Sequence, residues 1–437
     1  MRIHFISFLL SGFVFSQMAY AGGEDFDAIW SSIEERSPSL KSEANENAAA
    51  DVQVSRAKGH WVPRLSLNAG IVSTDDPGKA LFSNLGSRSL QATDLSPSLM
   101  NHPSREWVKS GSALIDWSLF EGGAKQSVVR GAKLLKESQV LSLAARKKEL
   151  YSELVRDFGK LASLNAEQFG VQELQEKLSR LVERYKVGSR DNPVGYSGLL
   201  GMRSLINRLD SVLAQNEAQV AALVESIRIH SGVASIESRA LLKSEPIEFV
   251  KQKFNKANHG EQGTNLRISS MQRMAMAQSE YSRAERARWL PRVGLFASKS
   301  LVSGPRDTGI STDYGGYLQW ELFNASNRGA YREASLRSSA FTNRSDAMVE
   351  ESAIARLNLN RSIPMLDGNL NRIRESMKIT NEQVLVTEKL FKNGSVNALQ
   401  LAEVLSRRAD VIENKKQIEM ALLDQLTEAF LQNASAP

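Results

Sequence analysis

The sequence predicts a mostly α-helical, internally duplicated chain that lends four strands to a membrane β-barrel. Three observations carry this. A helix-to-strand corner is written twice, as HWVPRLSL at 60–67 and RWLPRVGL at 288–295, 228 positions apart. Two long, proline-poor stretches share one heptad seam at a fixed offset, and four short stretches alternate apolar and polar residues. Repetition of a whole sequence of elements marks a duplicated architecture.

The chain has 437 residues. Residues 1–4 carry positive charge, 5–15 are mostly apolar, and Ala19-Tyr20-Ala21 offers a small-x-small cleavage pattern. This predicts an export signal over 1–21 with a mature chain from Gly22. The apolar run is too short to span a bilayer, and no later stretch reaches eighteen apolar residues. Entry into a membrane therefore requires a closed β-barrel, because lipid cannot satisfy open strand edges. The chain has no cysteine, which excludes disulfides, thiolate metal sites, a cysteine nucleophile and a lipidated N-terminal cysteine.

The elements follow in order. Pro38 opens a helix expected over 39–60, rich in Ala, Ser and charge. Trp61, Pro63 and Arg64 form the first corner, and a strand over 65–73 sets Leu65, Leu67, Ala69 and Ile71 on one face. A long Ser/Asp/Gly/Pro-rich loop over 74–109 leads to a strand at 112–120, whose apolar face holds Ala113, Ile115, Trp117 and Leu119. A proline-free helix is expected over 124–187, ending at Gly188 in RYKVGS, with a returning helix over 194–230. The second copy starts with a helix over 266–289 and a corner at Trp289, Pro291 and Arg292. Strands at 292–302 and 314–323 follow, joined by a short loop over 303–313, with Trp320 in QWELFNAS matching Trp117 in DWSLFEGG. A helix over 325–393 ends at Gly394 in LFKNGS, and a last helix covers 396–433. Each long stretch would extend roughly 100 Å at 1.5 Å per residue. Pro364 and Gly368 are expected to kink or break the second one. The repeats divide the chain into 22–263 and 264–437.

The seam supplies an internal check. Leu370, Ile373, Met377, Thr380, Val384, Thr387 and Phe391 alternate spacings of three and four. Positions 206 earlier are Leu164, Glu167, Val171, Leu174, Leu178, Leu181 and Tyr185, all apolar but Glu167. Such spacing presents a and d positions to a partner helix. Strands of nine to eleven residues suit a tilted barrel crossing. Four cannot close a barrel alone, whereas three chains with four each give twelve.

The charge of +6 is dispersed over helix faces, and together with the export signal this argues against nucleic acid. The five histidines are scattered and form no metal pattern; no G-x-S-x-G elbow or phosphate-binding loop is present. GYSGLLG at 195–201 opens a helix with no strand before it, which fits helix packing better than nucleotide binding. No enzyme and no cofactor is expected. A soluble periplasmic coiled-coil scaffold would account for the helices but not for four lipid-length strands. A diffusion porin would need many more strands and far less helix.

In the order and duplication of these motifs, the chain resembles the outer-membrane efflux protein family, the TolC-like channel-tunnels, over nearly its whole mature length. The resemblance implies a homotrimer with a shared twelve-stranded barrel in outer-membrane lipid and a long α-helical barrel in the periplasm. Residues 24–36, 231–263 and 434–437 would form its equatorial belt. It also implies a passive exit duct, docked to a periplasmic adaptor protein and an inner-membrane transporter of the resistance-nodulation-division or ABC type. Drug efflux and type I protein secretion are both compatible with it. The turns at Tyr185 and Gly188, and at Phe391 and Gly394, would form the periplasmic entrance. Of the family's two acidic constriction positions, one is Gln400 here and the other Glu403, with Asp191 contributing from the first half.

Overall fold

The computed structural model describes residues 26–184, 193–233, 245–257 and 265–432. The expected signal at 1–21, the residues Tyr185, Gly188 and Asp191, and the tail 434–437 lie outside these. The described elements are α1 (Phe26–Arg36), α2 (Pro38–Gly59), β1 (Arg64–Thr74), α3 (Pro77–Gly86), a 3₁₀ turn (Ala92–Leu95), α4 (Pro97–Asn101) and β2 (Glu106–Glu121). There follow α5 (Ala124–Arg184), α6 (Pro193–Ser231), α7 (Pro246–Ala257), α8 (Leu266–Ala287), β3 (Arg292–Ser303), β4 (Thr308–Gln319), α9 (Ala325–Lys392) and α10 (Ala398–Leu431). The fold class is the expected one: long paired helices with one small sheet.

The chain divides into two compact units, each drawing on both copies of the duplication. One contains residues 39–148 and 263–356. Here the strands form a single antiparallel sheet in the order β1-β2-β3-β4. Register puts Leu65 beside Ile115, Ala297 and Tyr314, and Ala69 beside Gly111, Leu301 and Ile310, all on one face. Lys299 is the charged exception in the middle of that face, level with Leu67 and Ala113. The other face carries Ser66, Asn68, Ser112, Asp116, Ser298 and Asp313, with Leu114 and Phe296 in its middle and Val72, Val108 and Val302 toward one end as its apolar exceptions. The apolar face is exposed: Leu67 is 75% and Leu318 68% accessible. A sheet that leaves its apolar face uncovered is unlike a soluble sheet, and β1 and β4 are both long edges without a partner among the described residues.

Two strand boundaries differ from the expected ones. β2 starts at Glu106, so the first loop is shorter and contains α3, the 3₁₀ turn and α4. β4 runs over Thr308–Gln319 instead of 314–323, leaving Trp320, Leu322 and Phe323 beyond the sheet. Arg292 pairs with Gln319, and Pro291 before it has no N–H with which to extend the ladder. At the other end TGISTD lacks alternation yet pairs with 298–303 of β3.

The second unit contains residues 1–38, 149–262 and 357–437. Val171, Leu174 and Leu178 of α5 pack with Met202, Leu205 and Leu209 of α6, Val384 of α9, and Leu401, Leu405 and Ile412 of α10. The predicted seam is therefore the core. Its polar exception, Glu167, is buried: Asn216 Nδ2 donates to its carboxylate at 2.8 Å and Lys416 approaches at 3.0 Å. Helices α1 and α7 dock through aromatic rings, Phe26 standing edge-on to Phe158 at 5.1 Å and Phe254 stacking on Phe430 at 4.4 Å.

Contrary to expectation, α9 is not broken at Pro364: it is a single helix of 68 residues. A proline removes one helical hydrogen bond and crowds the preceding turn. Ile363 and Leu370 are buried on either side, and Ser362 Oγ donates to Gln425 Oε1 of α10 at 2.7 Å, so packing holds the helix through the defect.

Candidate functional site: two corners and a helix turn

At both W-x-P-R motifs the helix tightens before it stops. His60, Trp61 and Val62 donate to the carbonyls three residues back, and so do Arg288, Trp289 and Leu290. This 3₁₀ tail satisfies carbonyls that an ending helix leaves open. Pro63 and Pro291 then forbid another helical turn, and Arg64 and Arg292 are the first residues of β1 and β3.

The W-x-L-F motifs lock the corners. Trp117 Nε1 donates to the carbonyl of Trp61 at 3.0 Å, and Trp320 Nε1 donates to the carbonyl of Trp289 at 3.1 Å. The motifs quoted from each copy thus meet, and in the same way twice. A bulge between Ser118 and Phe120 brings Glu121 opposite Arg292, with a 3.2 Å ion pair.

Sequence reasoning missed Lys125. It is buried, 5.3 Å from the centre of the Trp61 ring, donates to the Ser118 carbonyl and lies 3.9 Å from Glu121. Nothing in its spacing distinguishes it from an ordinary first-turn lysine. At the second corner Asn324 takes over: its side chain accepts from Ser326 N–H at 2.9 Å and donates to Glu321 at 2.8 Å, capping α9.

The turn between α9 and α10 is built by glycine and two caps. Gly394 has φ of 73°, open to glycine at little cost. Its N–H donates to Phe391 O and that of Ser395 to Leu390 O, the paired bonds of a Schellman motif. Asn397 then caps α10: its side chain accepts from Gln400 N–H, and the Gln400 side chain accepts from Asn397 N–H. Gln400 is therefore half of a capping box, legible as N-x-x-Q. Phe391 packs against the helical core. Glu403 is exposed and pairs with Arg407 at 2.6 Å. Across from this turn Gly198 of α6 lies against the start of α10; an added Cβ would stand 2.5 Å from Ala398 Cβ and 2.6 Å from Leu399 N. The glycine-rich 195–201 stretch is thus a packing device.

The described residues hold no group of three His, Cys, Asp or Glu arranged for a metal, and no helix among them is long and apolar enough to cross a membrane. Neither observation bears on a β-barrel.

An exposed apolar face, two sheet edges without a partner among the described residues and long paired helices go together in the fold that this chain shares with solved TolC-like outer-membrane channels. The solved structures of similar fold include the outer membrane protein VceC of Vibrio cholerae, at a TM-score of 0.75 and 12% identity over 93% of this chain and 95% of that one. The open-state outer membrane channel MtrE of Neisseria gonorrhoeae aligns at 0.74 and 13% identity over 94% and 89%. The Campylobacter jejuni outer membrane channel CmeC aligns at 0.73 and 11% identity over 95% and 88%. No protein-family model and no curated protein matches the sequence.

Proposed function

We propose that this chain is a passive exit duct of the outer membrane, acting as a homotrimer and reaching into the periplasm. The observation that carries the reading is the sheet: four registered strands with an exposed apolar face and no partner for either edge among the described residues. Lipid covers such a face, but tolerates no open edge. Pairing β4 of one copy with β1 of the next removes both edges, and three copies give a twelve-stranded barrel. The similar solved folds, all outer-membrane proteins, support the same reading.

In this reading 1–21 directs export, and 22–263 and 264–437 are the two structural repeats. The tips of the helix hairpins form the periplasmic entrance. Gly394 and Phe391 shape one turn, and Tyr185, Gly188 and Asp191 the other. Glu403 supplies the charged ring, tempered by Arg407 beside it, while Gln400 secures the start of α10. A periplasmic adaptor and an inner-membrane transporter dock at this end and deliver the cargo of an efflux or type I secretion system.

The test is insertion of the detergent-purified chain into planar bilayers alongside fractionation of the expressing cells. An outer-membrane protein that adds discrete, voltage-independent conductance steps supports the duct. A chain recovered in the soluble periplasm and silent in bilayers overturns it and leaves a coiled-coil scaffold.

A further inference from the structure

The segment joining β1 to β2 folds back onto the sheet instead of looping away from it. Gly86, the last residue of α3, lies against Val302: a Cβ added there would stand 3.4 Å from the Val302 Cβ and from both its methyl groups. Gly309, paired with Val302 across β3 and β4, meets the same helix end, and a Cβ on it would collide with the Gly86 carbonyl oxygen. Val302 lies two and four residues along β3 from Ser300 and Ser298, and so shares their side of the sheet. Helix α3 therefore packs on the polar face, at the end away from the corners.

The attachment is mostly polar. Arg88 donates from its guanidinium to the Ile310 carbonyl of β4 at 2.9 Å. Arg306, in the turn between β3 and β4, donates from its two terminal nitrogens to the Asp94 carboxylate at 2.6 and 2.8 Å. That guanidinium holds the Asp94 carboxyl down at about 2, so the clasp stays charged at ordinary pH. Within α3 the buried side chains are Ala80, Ser83 and Asn84, whereas Phe82 and Leu85 are exposed. A segment with so few buried apolar contacts opens at low cost.

In the proposed barrel the polar face lines the lumen, and the strand ends away from the corners form the outer mouth. We propose that α3 is a lid folded into that mouth and closed by the clasp between Arg306 and Asp94, an inference that rests on the exit-duct reading. Three copies bring three such helices onto the inner wall, each with Phe82 and Leu85 uncovered. Apolar side chains at a constriction gate a pore by excluding water from it. Opening the clasp frees α3 from the wall and widens the mouth.

Single-channel recording of the full-length protein in planar bilayers tests it, helped by a parent chain without cysteine. Arg306→Gln, and separately Asp94→Asn, should raise the ratio of large to small conductance steps about tenfold, the worth of one charged hydrogen bond. Adding Ser87→Cys and Gly304→Cys to Arg306→Gln should reverse this. The Ser87 Cβ lies 3.6 Å from where a Gly304 Cβ would stand, a separation that a disulfide spans. Oxidised, the triple variant should keep the small steps, which also shows that Arg306→Gln folds; reduced, it should pass the large ones. Parental steps in both single variants, a cysteine pair that does not cross-link, or large steps that the cross-link leaves unchanged overturn the lid and leave the duct standing. Bilayers silent for the parent and every variant overturn the duct, and the lid with it.

Discussion

At the first corner Lys125 fills the space beneath Trp61 and ties Ser118 and Glu121 together; the position matching it at the second corner is Arg328, which is exposed. Leu119 and Phe120 are 40% and 46% accessible, while their counterparts Leu322 and Phe323 are 74% and 84% accessible. Yet both corners share the 3₁₀ tail, the proline, the arginine and the indole-to-carbonyl bond. The shared parts turn a helix into a strand. The unshared parts are cover, which the first corner takes from its own chain and the second lacks. In the proposed trimer a neighbouring copy supplies it.

The largest effect should come from charging the uncovered corner. In the proposed trimer, Leu322→Asp with Phe323→Asp would put two carboxylates into a contact between copies that excludes water. The trimer band on unheated gels should give way to single chains; an intact trimer would mean the corner faces water.

Next in size is the contrast between equivalent positions. Lys125→Met strips the Ser118 carbonyl and Glu121 of a buried donor and should cost about 1–3 kcal/mol. Arg328→Met should stay within about 0.5 kcal/mol. Thermal dissociation midpoints read both, and equal losses would erase the distinction between the corners.

Trp117→Phe and Trp320→Phe each remove one N–H from a partly wet bond, so each should lower stability by about 1 kcal/mol and by similar amounts. A much larger loss at one corner would show that the two bonds do different work.

The seams differ too, since only the first carries a buried carboxylate. Burial raises the Glu167 carboxyl above its ordinary 4.5, outweighing the opposing pull of Lys416 and Asn216. The folded chain thus holds that proton longer than the unfolded one. The stability this confers is complete below 4.5 and is lost as pH rises through the raised value. Melts from about pH 4 to about pH 7 should show the parent losing ground to Glu167→Gln, by the smallest margin of the four. A constant gap would place the Glu167 titration in the ordinary range.

Much of this was legible in the sequence because period and repetition survive without partners. The long helices came from a seam of alternating three and four spacings in proline-poor stretches, strands from alternation, and the corners from W-x-P-R written twice. What escaped depends on contacts between distant segments. Lys125 is remarkable neither in composition nor in spacing; its role comes from the Trp61 ring folding over it. Pro364 reads as a helix breaker until α10 packs alongside. β4 keeps pairing through TGISTD because β3 offers it a ladder, and stops at Gln319 because Pro291 ends that ladder. Glu167 looks like a flaw in the seam until Asn216 and Lys416 arrive from two other helices. Gln400 is legible as a cap from N-x-x-Q alone, whereas the lining position is implied only by the family resemblance.

The shared barrel is tested most directly by the protein mass of the detergent-extracted complex, measured by light scattering with the detergent contribution removed. With a full chain of 48.3 kDa, a mass near three mature chains is the expected result. A mass of one chain would contradict the trimer, leaving the free edges of β1 and β4 and the bare second corner without a partner.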